Sequence, residues 1–324
     1  AGGTGYGAGG GAQGGTLNRC ALIGNSATYG GAAEGAVLNG CMLTNNSARY
    51  FGGGASYCTL NNCMVVANSA GTAYDDAGGG AYYGTLNNCT LVGNSTSGQG
   101  GGAYSGTLNN CIIYYNRAGR SGRDCAGAPS MHYCCSTWPS WSGIGNITND
   151  PLFEPDGSGR LQPDSPCINA GNNAYVDFTD DLDGHARITG GTVDIGAFEF
   201  QFPASVLSYA WLQQFSLPTD GSADFVDTDW DGHDNWQEWM ADTVPTNASS
   251  RLVLLAPANA PSGVAVTWQS VGTRNYFLER SSNLVTSPTL LSLATNVLGK
   301  TGTTTFTDTT ATNGSPYFYR VGVK

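Results

Sequence analysis

The densest chemical pattern in the chain is Asp227-Thr-Asp229-Trp-Asp231-Gly232-His233-Asp-Asn235-Trp-Gln-Glu238. It fits the spacing D-x-D-x-D-G-x5-E in full. Hard oxygen donors placed this way converge on one Ca2+. Asp227, Asp229 and Asp231 would supply side-chain oxygens and His233 its carbonyl. Asn235 would contribute directly or through water, and Glu238 would close the shell bidentately. Without a cation, carboxylates crowded this closely would repel one another. Calcium is the expected cofactor. A second acidic turn, Asp180, Asp181 and Asp183, leaves two readings open, a cation or a turn held by pairing with Arg187.

Catalytic chemistry is harder to assemble. A lyase acting on acidic sugar needs a base to remove a proton and cations to hold carboxylates. Residues 1–117 contain no lysine, no histidine and only three arginines. A glycosidase needs two facing carboxylates. That stretch offers Glu34, Asp75 and Asp76. His132 has no nucleophile nearby in sequence, and His185 and His233 belong to acidic turns. The expectation is a non-catalytic protein, with a carbohydrate-binding or polysaccharide-degrading one as the alternative. Tyr57, Tyr82, Tyr83 and Tyr104 fall at neighbouring positions of successive repeats. They form either an exposed strip for a ligand or a ladder of rings stacking on themselves.

The elements that must position these residues follow from composition and repetition. The chain has 324 residues, 48 of them glycine, with only 11% charged. This excludes a coiled coil, a collagen and a disordered acidic tail. No run of apolar residues is long enough to span a membrane. The net charge of −11, with no basic stripe, argues against nucleic acid as a partner. Eighteen of the 24 acids lie between Asp150 and Asp242, opposed only by Arg160 and Arg187. Ten cysteines suggest an extracellular or periplasmic location. No signal peptide is visible, and the Ala-Gly-Gly start reads as a mature or excised product.

One motif recurs: Thr16-Leu-Asn-Arg-Cys20, Val37-Leu-Asn-Gly-Cys41, Thr59-Leu-Asn-Asn-Cys63, Thr85-Leu-Asn-Asn-Cys89 and Thr107-Leu-Asn-Asn-Cys111. The cysteines are 21, 22, 26 and 22 residues apart, the longest step reflecting an insertion near residues 72–76. Short apolar runs with Gly and Asn punctuation cannot bury a face alone and must stack on their neighbours. The fold class predicted is all-β: a right-handed parallel β-helix with coils about 4.8 Å apart. Leu17, Leu38, Leu60, Leu86 and Leu108 make one inward column and the five cysteines another. Leu22, Leu43, Val65, Leu91 and Ile113 point the same way, and Asn columns are expected to form amide ladders. Residues 1–200 are assigned to this solenoid and its closing segment, 201–250 to a short helix plus calcium-loop linker, and 251–324 to a β-sandwich. Cys125, Cys134, Cys135 and Cys167 lie beyond the repeat and are the expected disulfide formers. Of three connectivities, Cys135–Cys167 with Cys125–Cys134 is favoured.

The repeats resemble the polymorphic outer-membrane-protein repeats of bacterial surface β-helices. Gly52–Ala55, Gly78–Ala81 and Gly100–Ala103 match the Gly-Gly-Ala part, although Tyr or Ser replaces the aliphatic residue that follows. Leu91-Val-Gly-Asn94 has Leu where that family carries an aromatic residue. Residues 145–199 resemble the C-terminal part of secreted choice-of-anchor Q β-helix proteins. The strings are Asn146-Ile-Thr-Asn-Asp-Pro-Leu-Phe153, Ser165-Pro-Cys-Ile-Asn-Ala-Gly171 and Val193-Asp-Ile-Gly-Ala-Phe-Glu199. This resemblance implies a secreted or surface-bound protein, and the segment is expected to cap an open solenoid end. The acidic loop resembles isolated EF-hand, dockerin-like or thrombospondin-type-3-like calcium loops. Asp234 departs from paired EF-hands, which carry an aliphatic residue there. Residues 251–324 resemble fibronectin-III-like sandwiches in architecture only. The function expected is that of an extracellular adhesin or the subunit of an extracellular fibre. It would be rigidified by calcium, with a glycan, a surface protein or end-to-end self-association as partner.

Overall fold

The structure is a computed structural model that describes residues 7–71, 75–137, 143–284, 290–311 and 316–323. The chain divides into two compact units, Ala1–Gly221 and Ser222–Lys324. The division falls within the expected linker. The short helix belongs to the first unit and the acidic loop to the second.

The first unit is a parallel β-solenoid. Three of its sheets have six strands and the fourth has five, all running across successive coils. Register is set by side chains that point inward at every second residue. Leu17, Leu38, Leu60, Leu86 and Leu108 pair straight across, and Met131 continues the column. Leu22, Leu43, Val65, Leu91 and Ile113 do the same on the next sheet. Alanines at 12, 33, 55, 81 and 103 line a third column, which ends at Cys125. This narrow side explains the glycine runs. At Gly53 a Cβ would stand 2.3 Å from the carbonyl oxygens of Gly79 and Ser69, so no larger residue fits the coil-to-coil approach. Gly52 takes φ of 65°, the left-handed conformation that begins this corner.

Two asparagine ladders tie the coils together. The buried one runs Asn25, Asn46, Asn68, Asn94, Asn116 and ends on Asp124. Asn68 Oδ1 accepts from both the backbone N–H and the Nδ2 of Asn46 at 2.9 Å, while Asn68 Nδ2 donates to the Leu43 carbonyl. The outer ladder joins Asn18, Asn39, Asn61, Asn87 and Asn109.

The cysteine column is equally regular, and it separates one of the two expected disulfide pairs, Cys125 and Cys134. Cys63 Sγ accepts from the Cys41 backbone at 3.4 Å and donates to the Leu38 carbonyl at 3.3 Å. Cys134 extends this column by accepting from Cys111, whereas Cys125 sits at the end of the alanine column on a different sheet. The two are therefore stack members and not a bridge. Cys135 and Cys167 do pack in one buried cluster, with Cys135 donating to the Asn149 carbonyl. All ten cysteines are free thiols.

The closing segment does more than cap the end. Asn146 takes over the acceptor role of the cysteine column, receiving the Cys134 backbone N–H at 2.9 Å. The chain then returns along the flank of the solenoid. Asn172 exchanges two hydrogen bonds with Asn110, Asn88 donates to the Tyr175 carbonyl, and Asn62 donates to that of Asp180. Asp180 finally pairs with Arg19 on the first coil at 3.1 Å. Met64, Thr90 and Ile112 are buried in consequence, whereas Met42 on an earlier coil stays 47% exposed. Arg187 anchors this strap from a fully buried position. It donates to Asn88 Oδ1 and to the carbonyls of Asp194 and Gly196, with Glu199 3.6 Å away. The short helix expected within 201–250 is α1, Tyr209–Gln214, which begins where Ser208 caps it, while Ala204 donates to the Tyr209 hydroxyl.

The second unit pairs helix α2, Asn235–Ala241, with two three-stranded antiparallel sheets, compatible with a β-sandwich. One sheet holds Ala258–Ala260, Gly263–Ser270 and Gly302–Asp308. The other holds Leu291–Leu298, Asn275–Ser281 and Phe318–Val323. Residues 252–255 form a single bridge, Leu254 to Trp268. Trp268 and Tyr276 fill the core. Tyr319 is half-exposed, and its hydroxyl donates to Asp308.

Candidate metal centre and aromatic row

The acidic loop is closed by its own backbone. Asn235 donates to the Val226 carbonyl and Trp236 to that of Asp224. Asp234 and Gln237 form a capping box that starts α2. Within this frame Asp227 receives the backbone N–H groups of Asp231 and Gly232, and Asp231 that of His233. Carboxylate oxygens of Asp227, Asp229 and Asp231 lie within 4.8 Å of one another. Glu238, 1% exposed, comes in from α2.

Four buried oxygens here have no hydrogen-bond partner: Asp229 Oδ1 and Oδ2, Asp231 Oδ2 and Glu238 Oε2. Buried polar atoms are almost always satisfied, so this convergence calls for a cation. The donors are hard oxygens, which suit Ca2+. Burial pushes the Glu238 carboxyl up to about 7, helped by the charges of Asp229 and Asp231. Asn235 is placed differently from the ligand role expected of it. Its Nδ2 donates to the Ala223 carbonyl and its Oδ1 accepts from Thr228, so it fastens the entrance of the loop. His233 turns its ring onto Asp231, with Nδ1 at 3.2 Å from Oδ1. Arg251, which the sequence reading missed, donates to the Asp231 carbonyl at 2.9 Å and clamps the loop from outside.

The second acidic turn is satisfied internally. Asp181 accepts from the backbones of Asp183, His185 and Glu199. Asp183 makes a two-pronged pair with Arg160, and Asp180 meets Arg19. The arginines that hold this turn are thus Arg160 and Arg19, while Arg187 works inside the strap.

On the solenoid, the four tyrosines do come together, within a longer row. Tyr29, Phe51, Tyr82 and Tyr104 stack in sequence with ring centroids 5.8, 4.6 and 5.5 Å apart. Tyr57 stacks on Tyr83 at 5.7 Å, and both meet Tyr82 edge-on. Tyr50 joins beside Tyr29. Tyr29, Tyr50 and Phe51 escaped the sequence reading because an extra residue between Ala48 and Phe51 shifts the register against Ala27 and Tyr29. Beside the row lies a cleft of about 280 Å³ lined by Phe51, Tyr82, Tyr104, Gln99, Asp75 and Arg120. Tyr57 is 60% and Tyr83 42% exposed.

None of the known protein families, curated proteins or solved structures compared with this chain matches it.

Proposed function

We propose that the chain is a non-catalytic extracellular recognition protein, in which the solenoid presents its aromatic row to a glycan and Ca2+ stiffens the C-terminal unit. The observation that carries this reading is the row itself. It is a rigid run of aromatic rings along one edge, with a polar-rimmed cleft at Phe51, Tyr82 and Tyr104. Aromatic surfaces pack against the apolar C–H faces of sugars, while phenol and amide groups at the rim satisfy hydroxyls. The nearby acids already have partners within the cleft wall or beside it. Asp75 pairs with Arg120, and buried Asp76 accepts from Ser97. The extracellular location is supported by the resemblance to surface β-helix repeats. The cysteines do not bear on it, since stacked thiols need no oxidising compartment.

The test is affinity electrophoresis and calorimetry of the whole chain against a panel of neutral and acidic polysaccharides. Tyr82→Ala and Tyr104→Ala should weaken the retained glycan by about tenfold. If no polysaccharide is retained and these variants only melt earlier, the row is a structural ladder and the glycan reading fails.

A further inference from the structure

At the corner that follows the alanine column, each coil turns through a residue of positive φ. Gly14, Gly35, Tyr57, Tyr83, Ser105 and Gly127 hold this place on successive coils. Glycine suits that conformation, and a bulky side chain there is an outlier. Tyr57 adopts φ of 53° and is nonetheless mostly exposed, so core packing does not account for it. Backbone strain held at an exposed side chain points to a function.

The two faces of the Tyr57 ring meet different surroundings. One stacks on Tyr83. The other looks back along the solenoid toward Gly35, one coil and about 4.8 Å away. A Cβ on Gly35, or on Gly14 one coil further, would meet nothing within 4 Å. Two corners without side chains thus leave an open floor beside the ring. The strand residues just before these glycines, Gln13 and Glu34, pair in register. Their neighbours Ala12 and Ala33 face the core, so both point outward beside the floor. Neither side chain has a hydrogen bond or ion pair among the described residues. Glu34 is partly buried, and desolvation raises its carboxyl above the usual pKa. An acceptor in that state gains from a donor brought by a ligand. The arginines on these coils are occupied, Arg19 by Asp180 and Arg49 over the Tyr50 ring.

Resting on the reading that this row binds a glycan, we infer that Tyr57, Glu34 and Gln13 form a sugar subsite over Gly14 and Gly35, and that the sugar held there is a neutral hexosyl unit. The open ring face takes the C–H face of the sugar. Glu34 accepts from a hydroxyl, and the Gln13 amide both donates and accepts. The same carboxylate, with no cation beside it, repels a uronate or sulfate, so acidic chains are rejected at this subsite.

The experiment is calorimetry of the whole chain against neutral probes, galactomannan and xyloglucan, and an acidic one, polygalacturonate. A neutral probe should bind and polygalacturonate should not. Gly35→Asn fills the floor with a residue that tolerates positive φ, and Glu34→Gln removes the accepting charge. Each should weaken the neutral probe by about tenfold, as should Tyr57→Gly. Gly35→Asn and Glu34→Gln should melt like wild type, so that lost binding is not lost fold. Preferential binding of polygalacturonate overturns the neutral subsite and leaves the glycan reading in place. Gly35→Asn and Glu34→Gln chains that bind a neutral probe like wild type overturn the subsite too, and the glycan reading then stands or falls on Tyr82→Ala and Tyr104→Ala. If the wild type binds no polysaccharide, the glycan reading fails and the subsite with it.

Discussion

Asp229 concentrates the chemistry of the acidic loop, because both its carboxylate oxygens are buried and unpartnered. Replacing it with asparagine removes a ligand charge and also a source of repulsion. Asp229→Asn should therefore lower calcium affinity by about tenfold or more in calorimetry. The same substitution should raise the melting temperature of the calcium-free protein. A purely structural acidic turn would move the second quantity without showing the first. Glu238 gives the pH dependence. Its folded pKa is raised from 4.5 to about 7, so the protonated form is the one favoured by folding. In the absence of calcium its contribution is fully present below pH 4.5 and is lost as pH rises through about 7. Melting of the calcium-free C-terminal unit should fall across that window, and Glu238→Gln should flatten the slope. The cysteines make a separate prediction. Unfolded without reductant, the chain should titrate with a thiol reagent as ten free thiols, while the native protein reacts chiefly at Cys20, the one that is not fully buried. A count of eight in the unfolded chain would instead assign a bridge to Cys135 and Cys167, which pack in one cluster.

At the scale of elements, the repeat made the solenoid legible because each coil repeats the same inward residues. The Thr-Leu-Asn-x-Cys motif predicts both the leucine column and the cysteine column, and register follows directly. The strap was less legible. Its contacts join residues such as Asn88 and Tyr175 or Ala197 and Thr90, far apart in sequence and without any shared pattern. The convergence of the acidic loop was readable at Asp227, Asp229, Asp231 and Glu238, whose spacing brings their carboxylates together. It was not readable at Asn235, whose side chain answers to the loop entrance. The two asparagine ladders look alike in sequence but differ in burial, and their energetics should separate accordingly. Asn94 is fully buried and serves the Asn68 backbone, the Val65 carbonyl and Asn116. Asn94→Ala leaves those groups unsatisfied and should cost about 2–4 kcal/mol in urea unfolding. Asn61 belongs to the outer ladder, where water can replace the lost amide, so Asn61→Ala should cost about 0.5–1 kcal/mol. Equal costs would mean that the ladders are not divided by solvent as described.

Across the whole molecule, stability comes from two different devices. The solenoid is held by columns and ladders repeated coil after coil, none of which involves the acidic loop. The C-terminal unit instead couples its loop to its sheets through single contacts. Arg251 reaches the Asp231 carbonyl, Arg274 that of Trp239 at 3.1 Å, and Thr273 the carboxylate of Asp242. A cation that orders the loop therefore supports the connecting segments that carry these side chains and, through them, the strands they lead into. A ligand that binds only the folded form, present at about 100 times its dissociation constant, stabilises by about 2.7 kcal/mol. For a unit of this size that corresponds to roughly 10–20 °C. Scanning calorimetry should accordingly resolve two transitions, with calcium raising that of the C-terminal unit by this amount and EDTA reversing it. The solenoid transition should stay in place. If calcium moves both transitions equally, or neither, the ion does not act through the loop as its four unsatisfied oxygens require.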